Sequence, residues 1–254
     1  MGAALLSILA AAVPTFGVSP ERTVLSLSRV AMADDYYLGR AKLSNVDQSL
    51  QLLRQAVAEN PNDYEAWWRI AKCQSFLGRA RDDSSSQAAI KAFQSGIEAG
   101  QQAVRLAPNR VEGHLWLGAN YGLLAEEEGW IKGLRLLDTV RNEMETVARI
   151  NPDYEQAAGE RTLARLYYRA PFFKGGDKQR SIQLLQDCLK RYPHDSFALL
   201  YLADDYLALG RRDQARALLE QILSLCPDPQ YGPELAANQV EARQRLQHEF
   251  RSGK

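Results

Sequence analysis

The chain is 254 residues long and carries 31 basic and 31 acidic side chains, so its formal net charge is zero. A protein that grips nucleic acid through its phosphates needs a basic excess, and that class is excluded. Three cysteines and three histidines leave little material for a disulfide framework or a metal centre.

From the N-terminus, residues 3–13 form an apolar run of the length of a signal-peptide core, and Ala31-Met32-Ala33 is a small-x-small site just before Asp34. Residues 1–33 are therefore expected to be a signal peptide or, alternatively, an unstructured or partly helical extension. No positive charge precedes the run, and the stretch from Pro14 to Ala33 is long for a cleavage region. The first alternative places the protein in the periplasm or outside the cell, the second in the cytoplasm. The run is too short to span a bilayer, and no cysteine lies near it to take a lipid, so no transmembrane span is expected in the mature chain.

Residues 34–250 read as helices, with 251–254 as a flexible tail. Residues 36–40 look like a short first helix and 45–59 its partner, with Leu50, Leu53 and Val57 in helical register. Residues 64–77 turn Trp67, Ile70 and Ala71 inward and stop at Gly78. A polar loop over 79–86 precedes a long helix over 87–106. Residues 111–124 follow, with His114 where a bulky apolar residue is usual. Glu126-Glu127-Glu128 reads as a solvated helix end, and Gly129 and Gly133 interrupt the chain before a helix over 134–150. Helices over 154–169 and 178–192 are separated by a segment whose Phe172 and Phe173 either fold back onto the body or form a contact surface. A regular unit over 196–229 and a capping helix over 233–250 complete the chain.

That regular unit carries a pattern. Leu199, Leu202, Ala203 and Tyr206 stand at the spacings W-x2-L-G-x2-Y, Ala215 and Leu219 at A-x3-F, and Pro227 closes it. This is the tetratricopeptide pattern over its period of about 34 residues. The junctions Asn60-Pro61-Asn62-Asp63, Ala107-Pro108-Asn109-Arg110, Asn151-Pro152-Asp153-Tyr154 and Tyr192-Pro193-His194-Asp195 mark earlier units. In each, proline stops one helix and a following Asn or Asp can cap the next. Before each proline the pattern wants small, large, small, and Gly96/Gly100/Ala103 and Val140/Met144/Val147 match it poorly. The prolines are 47, 44, 41 and 34 residues apart, so the middle repeats are lengthened. The expected fold class is all-α: a tetratricopeptide-type solenoid of about five helix pairs with a C-terminal capping helix. Cys73, Cys188 and Cys226 read as small buried hydrophobes.

A narrower likeness rests on Tyr36-Tyr37-Leu38-Gly39-Arg40, on Arg161-Thr162-Leu163-Ala164-Arg165-Leu166-Tyr167 with Ala170-Pro171, and on Gly175-Gly176-Asp177-Lys178. With the lengthened repeats, these resemble the T-component family of tripartite ATP-independent periplasmic (TRAP) transporters. The resemblance implies an exported helical-repeat protein that associates with a solute-binding protein. The chain departs from some relatives in lacking a lipobox cysteine.

None of the three histidines has a cysteine or an acid at a spacing that makes a nucleophile or metal site, and no phosphate loop is present, so neither enzyme activity nor a cofactor is expected. Recognition falls to the first helix of each pair, which lines the concave side of such a solenoid. Trp68, Lys72 and Phe76 form one stripe at i, i+4, i+8; Arg161, Arg165 and Arg169 form another, with Tyr168 beside it. Counting from Pro152 turns Arg161 toward the core, so the second stripe requires a local shift of register. The competing readings are an aromatic stripe that is core and arginines paired with Glu155, Glu160 and Asp204. Two functions stay open: a protein-interaction scaffold of the cell envelope, docking a partner such as a solute-binding protein, and a carrier of a small apolar or anionic ligand inside the superhelix. A homo-oligomer is compatible with either.

Overall fold

The computed structural model describes residues 20–80 and 86–250. The apolar run 3–13, most of the loop over 79–86 and the tail 251–254 lie outside the described residues. Among those described, all regular structure is helical. Five antiparallel pairs follow one another: α1 (Pro20–Leu38) with α2 (Leu43–Glu59), α3 (Tyr64–Ala80) with α4 (Ser86–Leu106), α5 (Val111–Glu127) with α7 (Leu137–Ile150), α8 (Ala158–Arg169) with α9 (Lys178–Arg191), and α10 (Ser196–Ala208) with α11 (Arg212–Ser224). The four-residue helix α6 (Trp130–Gly133) lengthens the third pair, a 3-10 turn (Phe172–Lys174) lies within the fourth, and α12 (Gly232–Phe250) caps the series.

The first pair reaches back beyond the boundary expected at Asp34. Helix α1 begins at Pro20, and its Val30 and Ala33 are buried with Val46 and Leu50 of α2. Ala31-Met32-Ala33 therefore lies inside a packed helix. Two junctions follow the expected chemistry, the Asp195 carboxylate accepting from Phe197 N and Ala198 N, and Asp63 from Ala66 N; Asp153 caps no helix and accepts from Arg191 instead.

A second correction falls on the fourth pair. Its first helix was expected from residue 154 but starts at Ala158, because Glu155, Gln156 and Ala157 all take left-handed backbone angles. Leu163 and Ala164 occupy the buried positions that Leu202 and Ala203 hold in the last unit. Leu163 stands eleven residues after Pro152, whereas Leu202 stands nine after Pro193.

Equivalent core positions carry polar pairs. Ser49 meets Cys73 at 3.5 Å, and Ser181 Oγ donates to Asp205 Oδ2 at 2.6 Å. Between them, Asn120 sits against Gly96 and donates to the Ala71 and Trp116 carbonyls at 3.0 and 2.7 Å. A side chain on Gly96 would collide with Asn120, and one on Gly100 with the Leu117 backbone. The poor match of Gly96/Gly100/Ala103 is thus a close approach of α4 to α5. Cys73 and Cys188 are buried as expected, but Cys226 is exposed, because it lies in the extended segment after α11.

Two outcomes follow. Leu202 is 3% exposed, so Leu202→Ala should cost about 2–5 kcal/mol in denaturant melts, and a loss under about 0.5 kcal/mol would place it on the surface. Burial pushes the Asp205 carboxyl up to about 6, against roughly 3.9 unfolded. Its stabilising contribution is complete below about 3.9 and is lost as pH rises from there through about 6. Asp205→Asn should therefore flatten the fall in melting temperature between about pH 4 and about pH 6; an unchanged slope would assign it elsewhere.

Candidate functional site

The concave side encloses a cavity of about 1310 Å³. Its inner stripe is built by equivalent positions of successive helices: Lys72 and Phe76 from α3, Leu115, Ala119 and Leu123 from α5, and Arg161, Arg165 and Arg169 from α8. Phe197 and Tyr201 of α10 and the segment from Pro227 to Leu235 complete the wall. The left-handed residues before α8 supply the register shift that turns the three arginines inward.

Two contacts close the superhelix into a ring. Arg40, in the turn after α1, is buried and donates through Nε and Nη2 to the Glu234 carboxylate of α12 at 3.0 and 2.6 Å, and also to the Gln230 carbonyl. Its guanidinium lies over Tyr37 and Phe76. Glu155 makes the second closure, accepting from Lys72 Nζ at 3.4 Å and from the Tyr231 hydroxyl at 2.8 Å. Burial, and next the Glu155 carboxylate, raise the Tyr231 phenol above its ordinary range.

The arginines differ in how fully they are paired. Arg161 donates to the buried Asp195 carboxylate and to the Gln156 carbonyl at 3.2 Å, and lies 5.3 Å from the Phe197 ring. Arg165 donates to Asp204 Oδ2 at 2.8 Å, lies 3.6 Å from a Glu126 oxygen and stacks over Tyr201. Arg169, half exposed, reaches the same Glu126 oxygen at 3.5 Å. Arg245 of α12 shares Asp204 with Arg165. Arg245, behind the wall, also pairs with Glu241 at 2.9 Å, so three arginines meet three carboxylates, with Arg165, Arg169 and Glu126 on the wall of an otherwise largely apolar cavity.

The other expected site residues fall differently. Trp68 is not on the cavity wall: it is buried beside Tyr64 and Ala103, with its indole N–H on Glu65 and Arg69 stacked over its ring. Tyr168 lies behind the wall, between Arg165 and Lys178. Glu160 pairs with Arg191 rather than with the arginine row. Glu126, expected as a solvated helix end, is a cavity residue. Phe172 and Phe173 do not fold back; they are 92% and 72% exposed. His114 is a satisfied histidine, one ring nitrogen 2.6 Å from Glu143 and the other 2.9 Å from the Pro108 carbonyl. The bond to Glu143 raises its pKa. Sequence reasoning missed Arg40 and Glu234, which meet across 194 residues, and Tyr231, which meets Glu155 across 76. It also missed Trp116, which lines the cavity one position along from the inner stripe.

Residues 30–159 match the family described as Regulator of microtubule dynamics protein 1-3, and residues 172–237 match a tetratricopeptide repeat. No curated protein sequence matches the chain. Among solved structures, a thermophilic tetratricopeptide protein of Thermus thermophilus is similar, with TM-score 0.63 and 22% identity over 87% of this chain and 98% of that one. PilW, titled a type IV pilus biogenesis factor, is similar with TM-score 0.58 and 16% identity over 90% of this chain and 95% of its own. At these identities the likeness shows the tetratricopeptide-type solenoid fold.

The ring closure makes a measurable claim. The Arg40 side chain is 4% exposed and that of Glu234 18%, so Glu234→Ala strands a buried cation and should cost roughly 3 kcal/mol in denaturant melts. Replacing both residues by apolar ones should recover most of the loss. A cost near zero for the single change would mean that water already enters this contact.

Proposed function

With residues 30–159 matched, more than half its length, the chain belongs to the regulator of microtubule dynamics protein 1-3 family, and we propose that it is a non-catalytic protein-interaction scaffold that holds an acidic, apolar segment of a partner in its cavity. The observation that carries this is the placing of Arg165 and Arg169, which share one Glu126 oxygen at 3.6 and 3.5 Å, on the cavity wall beside an apolar surface. Arginine binds a carboxylate through two parallel hydrogen bonds and loses less on desolvation than lysine. Small-molecule sites usually run to about 300–1,000 Å³. A cavity of about 1310 Å³ has room for a short stretch of chain.

The family's name makes a microtubule-associated protein the first partner to test. A TRAP-type solute-binding protein is the alternative, resting on the motifs around Arg40, Arg161 and Gly176. Two of those motifs have structural duties, since Arg40 closes the ring and Asp177 caps α9. Export with a mature start at Asp34 would remove Val30 from the first helix pair, which favours a chain that keeps residues 20–33. The carrier reading, with a small anionic and apolar ligand, is favoured by the ring closure, which makes the groove a lumen.

A photo-crosslinking residue at Ala119, on the cavity wall, tests these readings in the native cell. Adducts of discrete proteins support the scaffold, and a small molecule retained in native mass spectrometry supports the carrier. For a captured partner, Arg165→Ala should weaken binding by about 1–3 kcal/mol, mainly through faster dissociation. Arg105→Ala, on the exposed side of α4, should change nothing. Arg141 is no silent control, because it donates to the Lys174 carbonyl. Equal affinities for the Arg165 and Arg105 variants would remove the cavity from the interaction.

A further inference from the structure

Between α8 and α9 the chain holds two aromatic rings away from the body. Phe172 and Phe173 are adjacent, 92% and 72% exposed, at the tip of the 3-10 turn. We propose that this turn is a membrane-docking tip that seats both rings in the headgroup region of a bilayer bearing anionic lipid.

The turn is fixed in shape. The Pro171 carbonyl accepts from Lys174 N at 2.9 Å and Gly176 N at 3.0 Å, and the Phe172 carbonyl from Gly175 N at 2.9 Å. Asp177 N closes the loop on the Tyr167 carbonyl at 2.9 Å, while Arg141 reaches across from α7 to the Lys174 carbonyl at 2.8 Å. Gly175 takes the left-handed angle that ends the turn, with φ 83°. The rings are therefore held out by a rigid support, and docking them costs little ordering entropy.

Charge and hydrogen bonding point to a bilayer. The segment from Arg169 to Arg180 carries four bases and one acid, Asp177, whose carboxylate caps Arg180 N at 3.0 Å. Lys174 is paired with Asp138 at 3.1 Å and Arg169 with Glu126. Lys178 and Arg180 have no ion-pair partner among the described residues. Exposed rings flanked by bases without an ion-pair partner suit an interface that offers hydrocarbon below and anionic headgroups around it. Backbone amides 174–177 are all satisfied within the fold, so the tip asks for apolar cover without directional bonds. A binding groove on a protein would be expected to supply such bonds.

The test is flotation of the full chain with phosphatidylcholine vesicles, with and without phosphatidylserine. Binding should require phosphatidylserine and fall with salt. Phe172→Ser with Phe173→Ser should lower the bound fraction at least about tenfold with an unchanged melting curve, because the rings contribute nothing to the core. Lys178→Glu with Arg180→Glu should lower binding to anionic vesicles alone, by roughly fivefold per base. Phe172→Trp should give indole fluorescence that shifts to the blue on anionic vesicles and is quenched by brominated lipid. Three outcomes overturn the proposal: no flotation with anionic vesicles at low salt, equal flotation of the double serine variant, or capture of a discrete protein rather than lipid by a photo-crosslinker at Phe173.

Discussion

Glu155, Gln156 and Ala157 hold φ angles of 49°, 57° and 59°, a run that L-residues adopt at a cost of about 1–2 kcal/mol each. It persists because its surroundings over-determine it. Arg161 donates to the Glu155 and Gln156 carbonyls, the Glu155 carboxylate is held between Lys72 and Tyr231, and Ala157 is fully buried in the core. The inside of the molecule follows from this run. It delays the start of α8, so Leu163 and Ala164 take the buried places and Arg161, Arg165 and Arg169 turn into the cavity. It also brings Glu155 to the point where the first and last parts of the superhelix meet.

The three arginines then do different work. Arg161 is spent on the fold, its donors shared between Asp195 and the carbonyls of the left-handed run. Arg165 and Arg169 share Glu126, and Arg165 shares Asp204 with Arg245. Burial, followed by the nearness of Arg165, lowers the Arg245 pKa, while Asp204 and Glu241 both lie against its guanidinium. Attraction between unit charges about 4 Å apart is worth about 1 kcal/mol in water and several times that near a protein wall. A carboxylate of the proposed partner would meet Arg165 and Arg169 at this end of the cavity, in competition with Glu126, while the apolar wall of Phe76, Leu115 and Leu123 would select weakly for shape.

What could be read from residues alone was whatever recurred locally. In the last unit Leu199, Leu202 and Tyr206 are buried at their expected spacings, and helix ends at Pro108 and Pro193 fall where proline and its neighbours place them. The cap at Asp195 was legible for the same reason. Gly96 and Gly100 looked like errors in the pattern because the pattern records size and not the distance between helices. The arginine stripe was visible as a spacing, and the need for a register shift was visible with it. Three left-handed residues with ordinary side chains carry no signal that would have located the shift. Trp68 misled because i, i+4 spacing gives a face without saying how wide the wall is. The pairing of Arg40 with Glu234 spans 194 residues and has no local signature.

In an open solenoid each repeat touches only its neighbours, and stability is close to a sum of local terms. This chain adds a link between its ends, but the link differs in kind from the seams. The seams bury apolar side chains such as Leu53, Met144, Leu185 and Leu219 completely, and separating them exposes that surface to water. The closures at Arg40–Glu234 and Lys72–Glu155–Tyr231 are hydrogen bonds and ion pairs, which water can replace once they part, at a modest net cost per bond. The ring should consequently yield at its closures before any seam separates. Helix α12 is itself tied to the last pair, through the buried Asn238–Ser196 hydrogen bond to α10 and the Arg245–Asp204 pair, so parting the closures leaves it packed there. An acidic segment that reached the closures would compete directly with Glu155 and Glu234 for Lys72 and Arg40, so the groups that keep the cavity shut are the ones a ligand of the proposed chemistry is suited to displace.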